Sequence, residues 1–113
     1  MRATLDEIEA QRATLDAARP ATAAGKMLSL ELDLAARMAA ESCKIMLWQQ
    51  ALAGGNESRA QGMARAGVRE LRDLDADFRK YWPLRNKGTT EHCSPFLRWR
   101  IEDYRRGVLH FPP

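Results

Sequence analysis

Several sets of side chains have types and spacings that could do chemistry. Glu102-Asp103 and Asp6-Glu7 are adjacent carboxylates. Hydrolysis of a glycosidic bond needs two carboxyls facing one bond, roughly 5 to 9.5 Å apart. Neighbours on a helix point about 100° apart. Both pairs therefore read as solvated surface, and no catalytic residue is expected. His92, Cys93, Cys43 and His110 could be gathered around zinc, but they lack the paired ligand spacing of a zinc finger. No metal and no cofactor are expected. Cys43 reads as a small core residue and Cys93 as a thiol in a loop.

Two sets point to binding instead. Arg98, Arg100, Arg105 and Arg106, interleaved with Trp99 and Tyr104, could meet phosphates and bases. Glu102 and Asp103 interrupt that patch, and arginine stems also pack over core edges. Nucleic-acid binding is thus the alternative reading. Trp82, Arg85, Asn86 and Lys87 could form a partner or ligand contact, with the indole stacking and the polar groups hydrogen-bonding.

The elements that must carry these residues are helices. Alanine, leucine, arginine and glutamate dominate the 113 residues, and β-branched residues are scarce. The length suits one domain over residues 1–113. Residues 3–18 form a first helix with Leu5, Ile8 and Leu15 on one face. The pentapeptide Arg-Ala-Thr-Leu-Asp recurs at 2–6 and 12–16, but a ten-residue shift does not preserve a helix face.

A second helix, 27–53, carries two apolar stripes. One is Leu30, Leu34, Met38, Ile45, Trp48 and Leu52; the other is Leu28, Leu32, Ala35, Ala39, Cys43 and Met46. Asp33, Arg37, Glu41 and Lys44 occupy the remaining arc and are expected along an exposed edge. A helix so largely apolar should be surrounded by neighbours, which makes it the central one. Gly54-Gly55 ends it, and Asn56 to Ser58 supply cap candidates.

A third helix, 58–82, holds Ala60, Ala64, Gly67, Leu71, Leu74, Phe78 and Tyr81 at unbroken four-three spacing. Its small-residue half should approach a neighbour closely. Pro83 should kink or end it. Ser94-Pro95 opens a short fourth helix, 95–106, closed by Gly107. Trp82 should be clamped by Leu97 and Ile101, with Arg85 and Lys87 in water. The expected fold is all-α: an antiparallel up-and-down bundle of three long helices plus a short fourth.

The net charge is only +3, with the basic excess in the second half. Residues 1–20 are charged and lack the apolar run of a signal peptide. No run approaches the 18 or so apolar residues that cross a bilayer. Two cysteines without a disulfide framework suit a reducing, cytoplasmic setting.

The order of elements resembles a known region. Glu31-Leu32-Asp33-Leu34-Ala35-Ala36-Arg37, then Ala51-Leu52-Ala53-Gly54-Gly55, precede a helix ending Phe78-Arg79-Lys80-Tyr81-Trp82-Pro83-Leu84-Arg85-Asn86-Lys87, and a serine-opened helix follows. This resembles the helical C-terminal region behind the catalytic barrel of bacterial family 20 glycoside hydrolases, the β-N-acetylhexosaminidases. The match spans about residues 5 to 105. Its sharp motif is Trp82, Arg85, Asn86 and Lys87; Pro83 and the loop at Cys93 depart from the usual form. The resemblance implies a non-catalytic structural, docking or oligomerisation role, with a catalytic barrel or a second copy as protein partner. It carries over no catalytic residue, since a barrel alone needs about 200 residues.

Overall fold

The computed structural model describes residues 1–85 and 96–109. Its elements are α1 (Arg2–Ala17), α2 (Ala23–Ala53), α3 (Glu57–Arg85) and α4 (Phe96–Arg106). The fold is all-α, and no strand occurs among the described residues. Contacts follow chain order: α1 on α2, α2 on α3, α3 on α4. The connections between the first three helices are a few residues long, so each helix must reverse against its predecessor. At about 1.5 Å per residue α2 is about 46 Å long, which accounts for the longest of the principal dimensions, 49 × 32 × 21 Å.

Local chemistry sets the boundaries. Thr22 caps α2, its Oγ1 accepting from the Gly25 amide at 2.9 Å. Gly55 turns the chain out of α2 at φ 74°, a conformation that disfavours side chains with a Cβ. Asn56 then caps α3, its Oδ1 accepting from the Arg59 amide at 3.2 Å.

The four-three stripe of α3 faces inward as its spacing requires. Ala60, Leu71 and Leu74 join Leu34, Ile45, Trp48 and Ala51 of α2 and Leu97, Ile101 and Tyr104 of α4 in the main core. Trp48 is 1% exposed and meets the Tyr104 ring at 4.8 Å between centroids. A smaller core joins Leu5 of α1 to Ala40 and Cys43, with Ile8 and Leu47 beside it. The small-residue half of α3 does permit close approach, and the visitor is a ring. A Cβ on Gly67 would collide with Cε2 of Tyr104.

Three sequence expectations are corrected. Pro83 does not end the third helix, which continues to Arg85. Pro83 falls in its last turn, where its missing N–H costs a single helical bond. Trp82 is not among the side chains packed on the core cluster that contains Leu97 and Ile101, whereas Tyr81 is; Trp82 is half-buried and tilts against Phe78 at 5.5 Å. A step of about 100° separates the two aromatics, and the core-facing stripe passes through Tyr81.

The third correction concerns α2. Its charged arc turns inward, and the apolar stripe through Leu28, Leu32, Ala35, Ala39 and Met46 turns out, with Cys43 alone of that stripe buried. Between residues 28 and 53 every exposed position is uncharged: Leu28, Leu32, Ala35, Ala39, Ser42, Met46, Gln50, Leu52 and Ala53. The cause is complementary charge on the neighbouring helices, which holds Asp33, Arg37 and Lys44 in the seams, with Glu41 buried among them.

Candidate functional site

The inward charges form a ladder across α1, α2 and α3. Arg12 Nε donates to Asp33 Oδ1 at 2.9 Å. Arg37 Nη1 donates to Asp77 Oδ2 at 2.6 Å and lies 3.9 Å from Asp33 Oδ2. Two turns further, Lys44 Nζ donates to Glu70 Oε2 at 2.5 Å and lies 3.7 Å from Glu41 Oε1. Half-buried pairs of this kind cost desolvation as well as gaining attraction. Their geometry fixes which face of α2 meets α1 and α3.

Glu41 is the unusual member. It is buried, and its Oε2 has no hydrogen-bond partner. Burial pushes its carboxyl up from the ordinary 4.5 to about 8. The adjacent Glu70 carboxylate pushes the same way, and Lys44 opposes both. Burial would also raise Glu70, but hydrogen bonding to Glu41 and Lys44 outweighs it and the Glu70 carboxyl moves down. For Lys44 burial works downward, and the Glu70 hydrogen bond with the charges of Glu41, Glu70 and Glu9 turns the net shift upward. Burial raises Tyr104, with the same two glutamates adding to it. The opposite directions of the two shifts favour a protonated Glu41 facing an ionised Glu70 that holds Lys44.

Two clefts flank this group. One of about 260 Å³ is lined by Arg12, Arg37, Glu41, Lys44, Glu70 and Asp73. The other, about 190 Å³, is bordered by Leu5, Lys44, Met63, Gly67, Glu70 and Tyr104. The cations here are already engaged by carboxylates, so the group works as an internal strut. No cluster of histidine, cysteine and carboxylate side chains suited to a metal occurs among the described residues.

The residues singled out in the sequence are scattered. In α4, Arg100 is buried and donates to Asp103 Oδ2 at 2.7 Å. Asp103 is 0% exposed, which corrects the reading of Glu102-Asp103 as solvated surface. Glu102 remains partly exposed and draws Arg106 to 3.2 Å and Arg105 to 3.9 Å. Arg98 and Trp99 are exposed. Of the four arginines, Arg100 is inside, Arg105 and Arg106 lean on Glu102, and Arg98 is exposed. Asp6-Glu7 is exposed, with Arg2 lying 3.5 Å from Asp6. Arg85 ends α3. Asn86, Lys87, His92, Cys93 and His110 lie outside the described residues. Cys43 is a buried free thiol in the smaller core.

The sequence reading missed Glu41, Lys44 and Glu70 as a unit, and Tyr104 as the ring that α3 closes on. A usable signal existed. Glu70, Asp73 and Asp77 repeat at three-four spacing on α3, beside the core stripe of Leu71, Leu74 and Phe78. An acidic row flanking a core stripe matches the basic members of the charged arc on α2.

No helix among the described residues is long and apolar enough to cross a membrane. Among the described residues, the outer face of α2 is an extended surface left without an internal role. Leu28, Leu32 and Met46 are 55%, 49% and 51% exposed there. Beside it a groove of about 260 Å³ is lined by Gln11, Arg12, Leu15, Leu32 and Ala36. No protein-family model, curated protein or solved structure matches this chain.

Proposed function

We propose that the chain is a non-catalytic helical docking module, of the kind implied by its resemblance to the region behind the family 20 glycoside hydrolase barrel, and that it engages a protein partner through α2. The observation that carries this reading is the uncharged outer face of α2. In a chain with 29% charged residues, that face offers leucine, alanine and methionine to water over more than six turns. The charges that would normally solvate such a face are spent on the seams with α1 and α3. An extended apolar stripe rimmed by polar residues marks an interaction surface. The partner classes are those of the resemblance, a catalytic barrel or a second copy of the helical chain.

The test is the binding of an apolar fluorescent dye to the dilute chain. Leu32→Glu with Met46→Glu should remove most of the signal without loss of helix. Dye binding unchanged in that variant would refute an exposed docking face on α2. The pure chain should also show no turnover of a chromogenic N-acetylglucosaminide, and turnover would refute the non-catalytic part.

A further inference from the structure

We propose that the occupant of the α2 face is a second copy of this chain, packed antiparallel about a two-fold axis passing beside Ala39. The proposal rests on the docking reading and names its partner.

The outer residues have a spacing that suits a helix partner. Leu28, Leu32, Ala35, Ala39, Ser42 and Met46 follow steps of four and three throughout, the repeat of a helix–helix seam. The same residues are self-complementary about Ala39. An antiparallel copy centred there sets Leu32 against Met46, Ala35 beside Ser42, and Leu28 beside Gln50. Large side chains meet at the flanks and small ones at the crossing, where they let two helices approach to the short end of the usual 8–10 Å. A two-fold interface requires this kind of self-match.

Charge favours the same orientation. Lys26 is exposed in the first turns of α2, where the helix dipole disfavours a cation. Antiparallel pairing brings it level with residue 52 of the second copy, at the carboxyl end of α2, where a cation is favoured. Parallel pairing would set Lys26 against Lys26.

The area suits a weak, reversible dimer. From Leu28 to Ala53 the face runs about 38 Å, and a helix with side chains is about 10–12 Å across. Two such faces together cover about 900 Å², close to the roughly 1,000 Å² that a specific interface needs. Dissociation in the micromolar range is expected.

The experiment uses the full chain. Sedimentation equilibrium from about 1 to 300 μM should show a monomer–dimer equilibrium, and Met46→Glu should weaken it at least about tenfold by burying unpaired charge. Orientation is read in a Cys93→Ser background, with Cys43 buried. Leu32→Cys mixed with Met46→Cys should cross-link through a short bismaleimide. Leu32→Cys alone should not, since an antiparallel pair separates those positions by about 21 Å. Efficient cross-linking of Leu32→Cys to itself would overturn the antiparallel arrangement. A chain that stays monomeric while cysteines at 32 and 46 react freely would overturn the second copy and leave docking to a different protein standing. A monomer in which those cysteines are protected would overturn both.

Discussion

Replacing Glu41 by glutamine should stabilise the protein, and only above a definite pH. Glu41 is buried, and its carboxyl is pushed from the ordinary 4.5 to about 8. A group raised in the folded state favours folding below its unfolded pKa and loses that contribution as pH rises toward the folded value. The loss here begins near pH 4.5 and is complete near pH 8. Each pH unit within that window is worth up to about 1.4 kcal/mol, so the ceiling is about 5 kcal/mol. Relaxation around Lys44 and entry of water should reduce this to about 2 kcal/mol. Glutamine keeps the size of the side chain and can still donate to the Glu70 carboxylate. The assay is urea unfolding of wild type and Glu41→Gln at pH 4, 6 and 8. The two curves should coincide at pH 4 and separate progressively, the variant being about 2 kcal/mol the more stable at pH 8. A variant less stable than wild type at pH 8 would show that an ionised Glu41 is needed, and would refute the protonated strut.

Gly67→Ala should destabilise the fold by about 1–2 kcal/mol, because overpacking against Tyr104 exceeds the gain of about 1 kcal/mol in helix propensity; thermal unfolding measures it. Asp103→Ala should cost about 3 kcal/mol or more, since it leaves the buried Arg100 without its carboxylate; denaturant unfolding would show a loss well above that of Glu102→Ala. Trp48→Ala should cost about 3–5 kcal/mol, and Trp82→Ala distinctly less, because Trp48 is enclosed and Trp82 is half-buried. Equal losses in the last pair would return Trp82 to the core.

The third helix was the most legible part of the sequence. Ala60 to Tyr81 repeats at four-three spacing, and a single stripe has a single way to face the core. Gly54-Gly55, Asn56 and Gly107 marked boundaries because backbone and capping needs are local. The second helix was misread for a non-local reason. It carries two apolar stripes and one charged arc, and hydropathy alone selects the charges for solvent. Which stripe is buried depends on Arg12 on one side and Glu70 and Asp77 on the other, residues that meet the arc only after the helices pack. Asp103 was likewise sent to the surface because nothing in its own neighbourhood announces that Arg100 folds inward beside it.

The orientation of α2 is what the docking reading depends on, and one comparison tests it. Leu32→Glu and Leu34→Glu place the same charge two residues apart, on an exposed and a buried position. Denaturant unfolding at low-micromolar concentration, where association contributes little, separates the cases. Leu32→Glu should lie within about 0.5 kcal/mol of wild type, as surface changes do. Leu34→Glu should lose about 4 kcal/mol or fail to fold, as an unpaired charge buried in a core must. A comparable loss in Leu32→Glu would place the outer stripe inside the folded monomer and contradict the account.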